Sequence, residues 1–192
     1  MPKIKCHYAL NENGDIVDIA DVDKESRKAQ RFFCINCGAE MIPKLGEFKV
    51  RHFAHKAETP DCNSETYLHK LAKLRLIEKF YSSKPFEIAY WQEVKCSEES
   101  SCPFVKEEEC KEKKLKSFNL NKYYDTCQEE QRADHFIADL KLSSSHSPDL
   151  PPVTIEIYVS HKCTLPKKES GIRIIEVRIK AESDIQDLNL IP

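Results

Sequence analysis

Phe136-Ile137-Ala138-Asp139-Leu140-Lys141-Leu142 alternates without a break: Phe136, Ala138, Leu140 and Leu142 point one way, Ile137, Asp139 and Lys141 the other. That period of two predicts a half-buried β-strand. A Ser/Pro loop over 143–152 leads into Val153-Thr154-Ile155-Glu156-Ile157-Tyr158-Val159-Ser160, where Val153, Ile155, Ile157 and Val159 alternate with polar positions. Two such runs joined by a short loop pair naturally, and each carries one acid on its polar face. A third apolar run, Ile172 to Ile179, predicts another strand, and Ser183-Asp184 starts a short terminal helical turn.

Upstream, Leu68, Leu71, Ala72, Leu74, Leu76, Ile77 and Phe80 recur at helical spacing, which predicts a helix over 64–81 that Pro85 closes off. Phe86 to Val94, rich in aromatic and β-branched residues, reads as a strand. Between 96 and 127 the pattern breaks into a polar, Glu- and Lys-rich stretch, which reads as an insert rather than core. At the other end, Ile4 to Ala20 alternates loosely around Asn13-Gly14, a tight-turn signal between two short strands. Residues 21–31 are helix-compatible, and Phe48 to Phe53 is strand-like. The expected fold is therefore α+β, with a β-rich module over 1–63 and a second domain over 64–192 that contains the insert 96–127.

The chain has 192 residues, enough for one ordinary domain or two small ones. No run approaches the roughly 18 apolar residues of a spanning helix, and no apolar run follows Met1-Pro2-Lys3-Ile4-Lys5, so a cytosolic protein with no membrane association is expected. A net charge of -2 excludes binding nucleic acid through bulk charge alone. With 4 glycines and neither a GxGxxG nor a P-loop pattern, no nucleotide cofactor is expected.

Cysteine stands out: 9 in a chain for which reducing conditions are expected, which favours thiolate metal sites over disulfides. Cys34-x2-Cys37, His52-Phe53-Ala54-His55 and Cys62 supply a zinc donor set, and four N/S ligands saturate Zn²⁺, so the site is structural rather than catalytic. His52 and His55 lie on opposite sides of a strand; His55, nearer Cys62, is the preferred ligand, with His52 as the other candidate. Cys96, Cys102, Cys110 and Cys127 form a candidate second zinc site, although their spacing matches no standard pattern. A thiol redox protein working through Cys34 and Cys37 is the weaker reading, because it leaves Cys62 and both histidines unexplained.

Glu65, His69 and Lys73 follow one another at i, i+4 on a single helix face. Asp139 and Glu156, brought together by strand pairing, would repel unless a divalent cation, Mg²⁺ or Mn²⁺, neutralised them. Such an ion would also stabilise charge on a phosphodiester oxygen. Lys44, Lys49, Arg51 and Lys56 provide a local basic patch for nucleic acid, to which His69 and Lys73 add.

In its order of motifs, Cys34-x2-Cys37, His52-Phe53-Ala54-His55, Cys62, Glu65-x3-His69-x3-Lys73 and then Ile155-Glu156-Ile157, the chain resembles the CoiA-like competence proteins. The resemblance covers roughly residues 30–80 and 130–180. It implies a zinc-finger-like module followed by a nuclease-like domain of the PD-(D/E)XK superfamily, a mixed sheet with a packed helix. It also implies Mg²⁺-dependent hydrolysis of DNA, with Glu65, Asp139 and Glu156 at the motif positions and Asp134 as a rival for the aspartate. The chain departs from that pattern in two places. Tyr158 stands where the motif has lysine, so Lys141, Lys73, His161 or Lys162 would have to supply the cation; and 160–171 is short and Pro-interrupted for a crossover helix. The competing expectation is a catalytically inactive module of the same fold that binds nucleic acid or a protein partner.

Overall fold

A computed structural model describes residues 5–46, 49–57, 62–97, 103, 111–133, 136–160 and 171–186. Cys102, Cys110, Asp134, His161 and Lys162 lie outside the described residues. The chain divides into two compact units, one of Met1–Arg75, Ile157–Lys162 and Arg178–Gln186, the other of Leu76–Glu156, Cys163–Val177 and Asp187–Pro192. The α+β class expected from the sequence is observed: eleven strands and three α-helices among the described residues.

The first unit is built on a five-stranded sheet of order β2-β1-β3-β4-β5, from β1 (Tyr8–Leu10), β2 (Ile16–Asp18), β3 (Phe32–Phe33), β4 (Glu40–Lys44) and β5 (His52–His55), all antiparallel. The loop from Asn11 to Asp15 is longer than a tight two-residue turn. Asn11 Oδ1 accepts from the backbone N–H groups of Asn13 and Asp15, both at 2.9 Å, and Gly14 supplies a φ of 86°. Ala9, Ile19, Val22, Phe32, Cys34, Met41 and Phe53 form the core, with Phe32 and Phe53 in ring contact at 5.2 Å. Phe53 N donates to the Cys6 carbonyl at 2.7 Å, so the sheet curls back onto the chain before β1. Residues 21–31, expected to be helical, yield only the single turn α1 (Ser26–Ala29) after a 3-10 turn at Ile19–Asp21.

The predicted helix forms as α2 (Ser64–Tyr81). Asn63 Oδ1 accepts from Thr66 N at 2.8 Å, the N-cap bond that satisfies an orphan donor of its first turn. In the first unit, buried Glu182 accepts from His7 N at 2.9 Å and from the Tyr67 hydroxyl and pairs with His7 Nδ1. These contacts hold the segment before α3 (Ser183–Gln186) against the start of β1.

The second unit carries most of a four-stranded sheet of order β11-β10-β9-β8, from β8 (Thr126–Ala133), β9 (Phe136–Ser143), β10 (Val153–Tyr158) and β11 (Arg173–Arg178), with Ile157, Tyr158 and Arg178 counted in the first unit. β9 follows its alternation, with Ala138, Leu140 and Leu142 buried and Ile137 66% exposed. β8, β9 and β10 run antiparallel. Thr154 Oγ1 donates to the Arg173 carbonyl and Ile179 N to the Tyr158 carbonyl; both numbers rise together, so β11 runs parallel to β10. A parallel neighbour requires a crossover of about a dozen residues, which the interval 159–172 supplies in length.

Two expectations are corrected here. The stretch 96–127 is not devoid of regular structure, because β7 (Lys111–Asn119) and the start of β8 fall within it. And the strand after α2, β6 (Glu87–Lys95), does not join the main sheet but pairs with β7 in a separate ribbon, while β8 takes the edge position. The reason is the same in both cases. A ribbon exposed on both faces and a charged edge strand have no buried side to enforce alternation, so they leave no apolar period to read.

Candidate metal centre and acidic pair

The Cys34–Cys37 knuckle follows β3. Cys34 N donates to the Ala39 carbonyl at 2.8 Å, Gly38 N donates to the Cys34 carbonyl at 2.9 Å, and Gly38 turns the chain at a φ of 69°. A Cβ there would meet nothing within 4 Å, so the position needs glycine for its backbone angle rather than for space. β5 brings His55 from the far edge of the sheet, and the residue before the α2 cap brings Cys62. Cys34 Sγ, Cys37 Sγ, His55 and Cys62 Sγ offer ligand atoms that all lie within 4.8 Å of one another.

These separations fit zinc. A tetrahedron with Zn–S of about 2.3 Å and Zn–N of about 2.0 Å has edges of roughly 3.5–3.8 Å. Cys34 Sγ lies 3.6 Å from Cys62 Sγ, far beyond a disulfide's length, and Cys37 Sγ lies 3.3 Å from His55 Nε2. Asn36 Nδ2 points at Cys62 Sγ from 3.5 Å and donates to the Asn63 carbonyl at 3.3 Å, and Lys70 Nζ donates to the Asn36 carbonyl at 2.7 Å. The knuckle is thus tied to the first turns of α2, the kind of outer contact that orients ligands.

Burial pushes the Cys34 thiol up to about 12, with the adjoining Cys62 adding to the rise. For Cys37 burial acts in the same direction, but the Ala39 backbone N–H and the thiols of Cys34 and Cys62 outweigh it and leave the group below its ordinary value. His52 is not a member of the cluster; its Nδ1 lies 2.9 Å from the Val50 carbonyl. Cys6, passed over in the sequence, adjoins the cluster. Its thiol is pushed up to about 12 by burial first, then by Glu182, Cys62 and Cys37. Only the Cys6–Phe53 backbone bridge brings it there, so no spacing in the sequence signals it.

Among the described residues this is the one group in which three or more such donors converge. Of the other cysteines, Cys127 is buried in β8, its thiol pushed up to about 12 by burial and by Glu129, and Cys96 is half-buried just past β6.

The acidic pair belongs to the second unit. β10 pairs with β9 as Val153↔Leu142, Thr154↔Lys141 and Ile155↔Leu140. The paired register ends at Ile155↔Leu140, and strand alternation puts Glu156 on the face of Thr154 and Asp139 on the face of Lys141, each one residue beyond that last pair. Glu156 is 8% exposed and Thr154 is buried, so β10 is covered on both faces, not one. Asp139 and Lys141 are half-buried, and Lys141 Nζ donates to the Arg132 carbonyl at 3.4 Å. In β8 the pairs Glu129↔Leu140 and Gln131↔Ala138 flank Glu130, which thereby falls across from Asp139. With a φ of 51° it is the one described non-glycine residue at positive φ, a feature the sequence does not signal.

Glu65, in the first unit, accepts from Ser160 Oγ. Along its helix face exposure falls from Glu65 to half-buried His69 to Lys73, which is 5% exposed. Lys44, Lys49 and Arg51 are exposed, whereas Lys56 pairs with Glu40 across β4 and β5 at 3.0 Å and holds the Glu40 carboxyl below its usual range. No helix among the described residues is long and apolar enough to cross a membrane.

Neither comparison, with the curated proteins or with the solved structures, finds a match. All four clustered donors and the first residues of α2 fall within residues 18–65, 48 of the 192, which match the family model described as Competence protein CoiA, N-terminal domain, and that match supports the CoiA-like competence protein family for this chain.

Proposed function

We propose that the chain is a zinc-stabilised DNA-processing protein whose second unit carries a PD-(D/E)XK-type site, with Asp139 and Glu156 holding Mg²⁺ or Mn²⁺ for phosphodiester hydrolysis. The observation that supports this reading is the β9–β10 pairing, which leaves Asp139 and Glu156 on the same face of adjacent strands, each one residue past the last pair Ile155↔Leu140. The meander β8-β9-β10 with β11 parallel beside β10 agrees with the superfamily's sheet, and the family match agrees with its zinc module. A buried carboxylate is tolerated only with compensating charge or hydrogen bonds, and a divalent cation is one such compensation. When bound, the ion would stabilise negative charge on the phosphodiester. Of this chain's own residues, Lys141 stands two residues from Asp139 on the same face of β9, where an ammonium can orient water or phosphate. The zinc, saturated by four protein ligands, serves structure.

A second reading, a module of the same fold that binds DNA or a protein partner without cleaving, is favoured by Tyr158. Its phenol stands two residues after Glu156, where the motif has lysine. The test is incubation of zinc-loaded protein with single- and double-stranded DNA and Mg²⁺ or Mn²⁺, alongside Glu156→Ala. Metal-dependent cleavage abolished in the variant is expected. Equal cleavage by both proteins removes Glu156 from the chemistry, and no cleavage of any substrate selects the binding module.

A further inference from the structure

The β6–β7 ribbon belongs to neither the zinc cluster nor the acidic pair. It pairs nine residues of each strand in one unbroken register, from Glu87↔Asn119 to Lys95↔Lys111. At about 3.4 Å per residue it is roughly 30 Å long. Its base is fixed within the second unit: Asn121 Oδ1 accepts from Phe86 N at 2.6 Å, Asn121 Nδ2 donates to the Phe80 carbonyl at 2.9 Å, and the rings of Phe80 and Phe86 meet edge to face.

The register sorts its side chains into two faces. One carries Trp91 beside Leu115, then Lys113, then Lys95 beside Lys111; the other carries Tyr90 beside Lys116, then Lys114. Trp91 is 58% exposed and Tyr90 40%. The eighteen paired residues hold five lysines and three glutamates, a local excess of positive charge in a chain whose net charge is -2, and one of those glutamates, Glu112, is paired with Lys114 at 2.9 Å. Trp91 stands exposed on the face that also carries Lys95, Lys111 and Lys113. That combination suits a polyanion that also presents flat apolar rings.

We propose that one face of this ribbon binds single-stranded DNA, with Trp91 as the stacking surface for an unpaired base and Lys95, Lys111 and Lys113, on the same face, as contacts to the phosphates. The inference rests on the reading that the chain handles DNA, and it names the part of the surface that does so. An unpaired strand fits better than a duplex because stacked bases leave no ring face open to Trp91, whereas every unpaired base has one.

Trp91 is the only tryptophan of the chain, so intrinsic tryptophan emission reads the ribbon alone. The test titrates full-length, zinc-loaded protein without added Mg²⁺ with a fluorescein-labelled single strand for anisotropy and with the same unlabelled strand for emission, next to the matching duplex. Saturable quenching of Trp91 that tracks the anisotropy is expected, with the single strand bound more tightly than the duplex. Trp91→Ala should weaken binding roughly tenfold. Lys95→Glu/Lys111→Glu/Lys113→Glu should weaken it further and flatten the log–log salt dependence by roughly two. These side chains are exposed or half-exposed, so thermal unfolding should be unmoved in the variants. Binding with no change in Trp91 emission and no loss in the lysine variant overturns the ribbon's role while leaving a DNA-handling protein. Tighter binding of the duplex overturns the choice of strand, and failure to bind either DNA at low salt removes both readings.

Discussion

The five-stranded sheet of the first unit and the four-stranded sheet of the second are both small, yet they are held in different ways. The first is made of strands of two to five residues around a core of seven buried side chains, one of which, Cys34, is also a metal donor. The second has strands of six to eight residues, and its buried Ala138, Leu140, Leu142, Val153, Ile155 and Ile157 come from two adjacent strands. Short strands leave little apolar area to bury, so ligand convergence must contribute what packing does not. Long strands bury enough by themselves, which frees their polar face to hold acids. The Cys/His cluster that could hold a metal thus lies in the sheet with the shorter strands, and Asp139 and Glu156 in the sheet with the longer ones.

The sharpest way to break this contrast is to remove the zinc. Structural zinc can supply on the order of 10 kcal/mol. Chelation should therefore strip hydrogen-exchange protection from the amides of Phe32 and Phe53 while those of Leu140 and Ile155 stay protected. His55→Ala should lower the zinc content below one per chain, and His52→Ala should leave it unchanged, as read by elemental analysis. Simultaneous loss of protection in both sheets would erase the distinction.

The reverse experiment is Leu140→Ala. This side chain is fully buried in β9, so truncation should cost about 2–5 kcal/mol in denaturant unfolding. The zinc content should stay at one per chain, because no donor of the cluster is altered.

The smallest effect is a pH dependence. Burial holds the Cys127 thiol up to about 12 in the folded chain against an ordinary 9.0. As pH rises above 9 the unfolded chain loses this proton first, so its contribution to stability is complete below pH 9 and declines toward pH 12. Cys127→Ala should therefore show a shallower alkaline fall in melting temperature than wild type. An unchanged slope would mean that the thiol is solvated.

Much of this was legible in the sequence where one physical cause acts within one element. The helix 64–81 follows from its apolar spacing, and the strand at 136–143 from its alternation. The donors Cys34, Cys37, His55 and Cys62 were readable because zinc tolerates few residue types. Less legible was everything that depends on backbone pairing. The edge strand β8 and the ribbon carry charged, exposed side chains, so their hydrogen bonds left no mark on composition, and nothing in the sequence says that the strand after the helix pairs outside the main sheet. Cys6 reaches the metal cluster, and Glu130 the row of Asp139, only because strands meet.

By itself, the sequence determined which chemical groups are present and which segments are helix or alternating strand, because propensity and apolar period are local properties. Tertiary structure alone decided which histidine meets three thiols, which strand borders which, and that Glu156 comes to lie buried. Those outcomes depend on hydrogen bonds between main-chain groups that are chemically alike at nearly every residue, so their partners are chosen only when the whole chain packs.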